Sequence, residues 1–161
     1  MLDTNIVPVG IADIQVSQSP AVLTTNLGSC IGVCLYSSQL KVGGMLHLMM
    51  AHVDEARHNG PIKLAKFANT GIPELIKCVK TFAKSNHVRL EAKIFGGAKV
   101  LKNVTSEIGR DNEVATRELL KTFNIPIIAA KTGGEKGYRI KFFLETGKVE
   151  CQIFGQPIEE F

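Results

Sequence analysis

The sequence predicts an α/β domain in which mixed, largely antiparallel sheets pack against two helices. Short β-rich segments dominate both ends of the chain, and two stretches with helical periodicity occupy its middle. The 161 residues are 45% hydrophobic and 21% charged, which is typical of a compact globular protein and excludes a disordered or collagen-like chain. Because no repeat or linker interrupts the sequence, we expect one domain over residues 1–161.

Four β-rich segments precede the first helix. They run over residues 6–16, 21–25, 30–36 and 43–50. In the first, the parity of the apolar residues changes near Gly10, which indicates a bend. The last is apolar except for His47, the pattern of a strand buried on both faces.

The rest of the chain predicts two helices and four more strands. Apolar residues at helical spacing predict a helix over 63–84, in which Pro73 indicates a kink or a late start. A second helix, capped by Asp111 or Asn112, follows the turn at Gly96-Gly97. The predicted strands run over 88–95, 125–130, 138–145 and 149–154, the last two as a hairpin.

Charge and composition exclude several classes of function. Nineteen Lys and Arg against fifteen Asp and Glu leave a net charge of only +4, and the basic residues are dispersed, so no nucleic-acid partner is expected. No apolar run reaches the length of a membrane span, and the first residues lack a secretion-signal pattern, so we expect a cytoplasmic protein. Four cysteines are too few for a disulfide scaffold and remain candidates for core packing, metal binding or nucleophilic chemistry.

Cys30 is the candidate nucleophile. It follows Gly28 and Ser29 in a tight turn between two apolar segments, where backbone N–H groups can point outward as an oxyanion hole. The alternative is a small buried hydrophobe, the common state of a free cysteine. The other three thiols, Cys34, Cys78 and Cys151, are predicted to be structural.

His47 is the candidate base. A buried imidazole needs a hydrogen-bond partner, and it is either a paired core residue or a general acid–base that serves Cys30. A third group normally orients such a ring, and Thr24, six positions before the thiol, is the candidate. A zinc site formed with Cys34 and His52 is a weaker alternative, because the ligand spacing fits zinc patterns only loosely.

Several sequence elements occur together in an order that is specific. They are Leu27-Gly28-Ser29-Cys30, then Gly43-Gly44-Met45-Leu46-His47, then Leu90-Glu91-Ala92-Lys93-Ile94-Phe95-Gly96-Gly97-Ala98, then Ile108-Gly109 with Asn112, then Thr132-Gly133-Gly134. Over about residues 9–154 the chain resembles the CheD family of chemoreceptor glutamine deamidases.

This resemblance implies a fold similar to that of bacterial toxin deamidases of the cytotoxic necrotizing factor type, and a catalytic set of Cys30, His47 and Thr24. It implies hydrolysis of selected glutamine side chains on the cytoplasmic helices of chemoreceptors through a thioester, with no metal or organic cofactor. It also implies a monomer or hetero-complex, with a CheC-type phosphatase of the response regulator CheY as a partner.

The sequence departs from the usual family pattern in three loops, at Asp111, Lys131 and Tyr138. Val100 and Leu101, which follow the glycine turn, are candidates for contact with a partner or substrate, with core packing as the alternative. The second functional hypothesis is a non-catalytic binding module that keeps the fold and regulates a CheC-type phosphatase.

Overall fold

The computed structural model describes residues 5–103 and 105–161. The strands are β1 (Ile6–Pro8), β2 (Ile14–Gln18), β3 (Val22–Leu27), β4 (Ile31–Ser37), β5 (Val42–Leu48), β6 (Glu91–Gly96), β7 (Ile127–Thr132), β8 (Tyr138–Phe143), β9 (Val149–Ile153) and β10 (Ile158–Glu160), and the helices are α1 (Ala68–Ala83) and α2 (Ile108–Thr122). A 3₁₀ turn, Leu64–Lys66, precedes α1. The predicted class, α/β with mixed, largely antiparallel sheets and two helices, is confirmed.

The strands form two five-stranded sheets. The outer sheet has the order β1-β3-β8-β9-β10, and the central sheet has the order β2-β5-β4-β6-β7. Only the pairs β1–β3 and β6–β7 are parallel among the strand pairs of the described residues. The predicted C-terminal hairpin is present as β8 and β9.

The central sheet is buried on both faces, which makes the molecule three-layered. One face packs against α1 and α2 through residues such as Val33 of β4 and Leu46 of β5. The other packs against the outer sheet through residues such as Cys34 and Met45. Successive side chains of a strand point to opposite faces, so β4 and β5 supply both apolar layers at once.

Two predictions about elements are wrong. The segment 6–16 is not one bent strand, because β1 pairs in the outer sheet and β2 in the central sheet. Neither Asp111 nor Asn112 caps the second helix, because α2 begins at Ile108, ahead of both residues. The first helix does start late, at Ala68, with Pro73 inside it.

Glycines allow three backbone segments to meet beside the start of β4. Gly96 has φ +101°, and a Cβ there would overlap the carbonyl oxygen of Cys30. Gly97 and Gly109 face each other so closely that a Cβ on either would overlap the other's carbonyl. The N-terminal turn of α2 therefore packs directly on the turn after β6, next to Cys30.

Candidate active site

Cys30 lies in the turn just before β4, at one end of the space between the two sheets. The residue is half-buried and packs against the apolar layer between the sheets. Its carbonyl accepts a hydrogen bond from the N–H of Gly97 at 2.9 Å, which ties the turn to the end of β6. The thiol is therefore held at a strand end and still reaches the surface.

His47 lies on β5 and faces the same interior. It pairs in register with Gly32 of β4, two residues after Cys30. Residues two apart on an extended segment share a face, so Cys30 and His47 both belong to the side of the central sheet that packs against the outer sheet. His47 is 2% exposed. Gly32 has no side chain, so it places none between Cys30 and His47.

Thr25 of β3 closes the site from the outer sheet. Its Oγ1 lies 2.7 Å from the carbonyl oxygen of Val9 and 2.8 Å from Nδ1 of His47. A hydroxyl has one proton, and a carbonyl can only accept, so the Thr25 proton goes to Val9. The ring must then donate its Nδ1–H to Thr25, which leaves Nε2 unprotonated and able to accept a proton.

Thr24, the threonine that we predicted to orient the ring, faces the other way. Its hydroxyl donates to the carbonyl of Ile140 at 2.9 Å, and its own carbonyl accepts from the N–H of Val9. The contact with the imidazole therefore belongs to Thr25. The spacing along β3 could have indicated Thr25, because it lies two residues from both Leu23 and Leu27 and so shares a strand face with these buried residues.

Burial keeps both reacting groups neutral at rest. Desolvation raises the pKa of the Cys30 thiol, an effect opposed in part by its own backbone N–H. Desolvation also lowers the pKa of His47 below its ordinary 6.5. Both shifts favour the uncharged forms, a thiol and a neutral imidazole.

The turn that carries Gly28 and Ser29 is held through its carbonyls. The Gly28 carbonyl accepts from the N–H of Ala98 at 2.9 Å, and the Ser29 carbonyl accepts from Nδ2 of Asn112 at 3.0 Å. Within the described ranges, the N–H groups of Ser29 and Cys30 donate to no backbone carbonyl. Two donors beside the thiol can thus bind a developing oxyanion.

Two concavities flank this turn. A cavity of about 870 Å³ has Gly28 in its wall, and a smaller one of about 280 Å³ has Ser29. Val100 lines both and Leu101 lines the second. They are 41% and 66% exposed, so the alternative of core packing does not hold for either residue.

The other thiols lie apart from this chemistry. Cys34 and Cys151 are buried, and burial raises the pKa of Cys151 to about 11. Cys78 is partly exposed on α1 and donates to the carboxylate of Glu74 at 3.7 Å. Among the residues that the structure describes, no group of three or more His, Cys, Asp and Glu side chains could hold a metal ion.

A thiol and an imidazole that face the same interior are the residue types that cysteine-dependent acyl chemistry uses. The chain belongs to the CheD family. The family model described as CheD chemotactic sensory transduction matches residues 49–153. The resemblance seen in the sequence is therefore confirmed.

Relatives match nearly the whole chain. A probable chemoreceptor glutamine deamidase CheD from Caldanaerobacter subterraneus subsp. tengcongensis is 38% identical over 98% of this chain and 99% of its own length. Proteins of the same name from Pyrococcus abyssi and Pyrococcus horikoshii are 39% and 43% identical, over 98% and 91% of each chain respectively. None of the described helices is long and apolar enough to cross a membrane.

Proposed function

We propose that this protein is a chemoreceptor glutamine deamidase that acts in the cytoplasm through Cys30 and His47, with Thr25 orienting the ring. The relatives' names support the activity. The observation that carries the assignment of residues is the hydrogen bond between Thr25 Oγ1 and His47 Nδ1, because it leaves Nε2 free as a base. A module that only binds a partner has no need of that arrangement.

The first half of the reaction forms a thioester. The Cys30 sulfur attacks the carboxamide carbon of the glutamine side chain as His47 Nε2 takes the thiol proton. The N–H groups of Ser29 and Cys30 bind the oxyanion of the tetrahedral intermediate. The C–N bond then breaks, Nε2–H protonates the departing nitrogen, and ammonia leaves.

The second half hydrolyses that thioester. Nε2 of His47, neutral again, removes a proton from a water molecule that attacks the acyl carbon. The second intermediate collapses, the carbon–sulfur bond breaks, and Nε2 returns the proton to the Cys30 sulfur. The products are a glutamate side chain and the free enzyme. All of these steps use the chain's own groups.

The test is peptide mass spectrometry of a receptor cytoplasmic fragment incubated with the wild-type protein, with Cys30→Ala and with Cys34→Ala. Cys34 is the matched control, a buried thiol on β4 that packs in the same layer between the sheets as Cys30. We expect the mass change of amide to acid at particular glutamines with the wild type and Cys34→Ala only. Conversion by Cys30→Ala would contradict the assignment. No conversion by any of the three would favour the binding module, to be tested next against a CheC-type phosphatase.

Val100 and Leu101 are proposed to contact the receptor helix that carries the target glutamine. They are exposed, apolar and adjacent to the turn before Cys30, since Val100 Cγ2 lies 3.7 Å from the Cβ position of Gly28. Leu101→Glu should raise KM severalfold and leave kcat nearly unchanged. Phe82→Glu, an exposed apolar residue on α1, is the control. Equal effects of both changes would remove this assignment.

A further inference from the structure

One buried amide joins the two strand ends that carry Cys30 and His47. Asn112 is 0% exposed, and its Nδ2 donates to the carbonyl of Ser29 at 3.0 Å and to the carbonyl of Met49 at 2.9 Å. Ser29 directly precedes the thiol, and Met49 lies two residues after the imidazole. Both protons of a single side-chain NH₂ group are thus used on the backbone of the active site.

The fold brings Asn112 there through the glycine contact described above. The close approach of Gly97 and Gly109 sets the first turn of α2 against the end of β6, three residues before Asn112. The hydroxyl of Thr116 donates to the Asn112 carbonyl at 2.7 Å one turn further on. The amide therefore projects from a fixed helix and not from a loop.

The bond to Ser29 acts on the peptide unit that contains the Cys30 N–H. A peptide is planar, so fixing the Ser29 carbonyl also fixes the direction of the N–H on the opposite side. A donor on the carbonyl polarises the same unit and strengthens that N–H as a donor. The Cys30 N–H is one of the two groups placed to bind the oxyanion.

The two halves of the Asn112 amide differ in what they contact. Asn112 Oδ1 is buried and has no hydrogen-bond partner among the described residues. A buried acceptor without a partner costs free energy, and an apolar side chain would avoid that cost but would leave the Ser29 and Met49 carbonyls without their donor. The two hydrogen bonds that its NH₂ group donates explain why an amide occupies this position.

We propose that Asn112 is a positioning residue that aims and polarises the Ser29–Cys30 peptide as an oxyanion donor. The proposal rests on the deamidase function proposed above. It concerns the acylation and hydrolysis steps, in which a carbonyl oxygen becomes negative, and not the nucleophilicity of the thiol. These two properties can be measured separately.

The experiment compares the wild type, Asn112→Ala, Asn112→Ser and Thr116→Val. Deamidation of a receptor fragment gives kcat and KM. Reaction of Cys30 with methyl methanethiosulfonate, followed by peptide mass spectrometry, gives thiol reactivity in a step that involves no carbonyl. Thermal unfolding is recorded for each variant, and the kinetics are run well below the unfolding transitions. Thr116→Val is the control, because it removes a buried hydrogen bond to the backbone carbonyl of Asn112 and leaves the side-chain amide with its bonds to Ser29 and Met49.

We expect the kcat of both Asn112 variants to fall at least about tenfold, because each variant weakens one oxyanion donor. KM and the rate of Cys30 thiolation should change by less than about threefold on the same reasoning. Thr116→Val should keep its kcat even if it unfolds at a lower temperature. Two different replacements at position 112 keep the test valid if one does not fold.

Two results would overturn the proposal. An unchanged kcat in a folded Asn112 variant would show that the amide does not act on the reaction. A parallel fall in kcat and thiolation, matched by Thr116→Val, would show a purely structural role. A wild-type protein with no deamidation would instead overturn the proposed function, and the positioning role with it.

Discussion

The two faces of the central sheet form two different cores from the same strands. The helical core, on the α1 and α2 side, has an apolar cluster that includes Ile31, Leu46 and Ile72. Thr70, Asn112 and Thr116 are buried polar side chains on this side, and they belong to the helices. The intersheet core, on the side of the outer sheet, contains apolar residues mixed with thiols and tyrosines, and His47 and Thr25 face it. Both are almost fully buried.

This difference indicates which of the two cores can contain a reactive site. A helix lying on a sheet satisfies its own backbone, so its buried polar side chains bond to carbonyls of the helix itself or of neighbouring turns, as Thr70 does to Leu64 and Asn112 does to Ser29. Two facing sheets offer side-chain and backbone acceptors across the gap, as when the Tyr36 hydroxyl donates to the Leu144 carbonyl at 2.8 Å. The intersheet core therefore accepts polar groups that are paired, and its open end carries the site.

Leu46→Ala should lower the free energy of unfolding more than the other changes and tests whether the two cores are independent. Leu46 is 0% exposed in the helical core, so its truncation should lower the free energy of unfolding by about 2–5 kcal/mol. Its neighbour His47 faces the opposite core, so kcat per folded molecule should stay near the wild-type value. Urea unfolding and deamidation kinetics at low temperature check both. A large fall in kcat for the folded variant would show that the two cores are not independent.

Thr25→Val should have its larger effect on the rate, with a loss of stability of about 1–3 kcal/mol because the Val9 carbonyl and His47 Nδ1 lose a buried partner. Without Oγ1 the ring loses the acceptor that selects its Nδ1–H tautomer, so kcat should fall about 10- to 100-fold.

Thr25→Ser, which keeps a hydroxyl, should recover most of that rate. Thr24→Val is the matched control, because its hydroxyl bonds to Ile140 on the other face of the same strand. If Thr24→Val lost as much kcat as Thr25→Val, the orientation of the ring by Thr25 would be refuted.

The pH profile of kcat/KM should show the effect of burial on His47. The neutral imidazole is the active form, so the rate should fall as the pH falls through the pKa of His47, at a midpoint below 6.5 because desolvation lowers that pKa. The rate should hold up to alkaline pH, because burial raises the pKa of the thiol. A midpoint clearly above 6.5 would indicate that an anionic neighbour, and not burial, controls the ring.

The smallest expected effect is on stability against pH. Below pH 6.5 the unfolded state binds a proton at His47 more readily than the folded state, so this residue makes the protein less stable as the pH falls. His47→Gln should remove part of the loss between pH 7.5 and pH 5. Urea unfolding of both proteins at the two pH values checks the sign. A variant that loses stability as steeply as the wild type would show that other groups cause the loss.

Much of this molecule could be predicted from local patterns. The strands around Cys30 and His47 follow from short apolar runs, and the hairpin of β8 and β9 follows from two β-rich segments joined by a turn. Cys30 and His47 themselves stood out because a glycine turn preceded one and an apolar run surrounded the other. The prediction of one strand over 6–16 was wrong, because no local sequence pattern indicates that the chain leaves one sheet and joins another.

The sequence by itself determined the class of fold, the thiol and the imidazole, because these depend on the residue types and on periodicities within one strand. The tertiary structure alone decided which threonine meets the ring, since a step of one residue along β3 exchanges the interior face for the exterior one. It also decided the position of Asn112, whose side-chain partners Ser29 and Met49 lie 83 and 63 residues away in the chain. Contacts of that kind depend on how α2, β5 and the turn before β4 pack together, which no local pattern encodes.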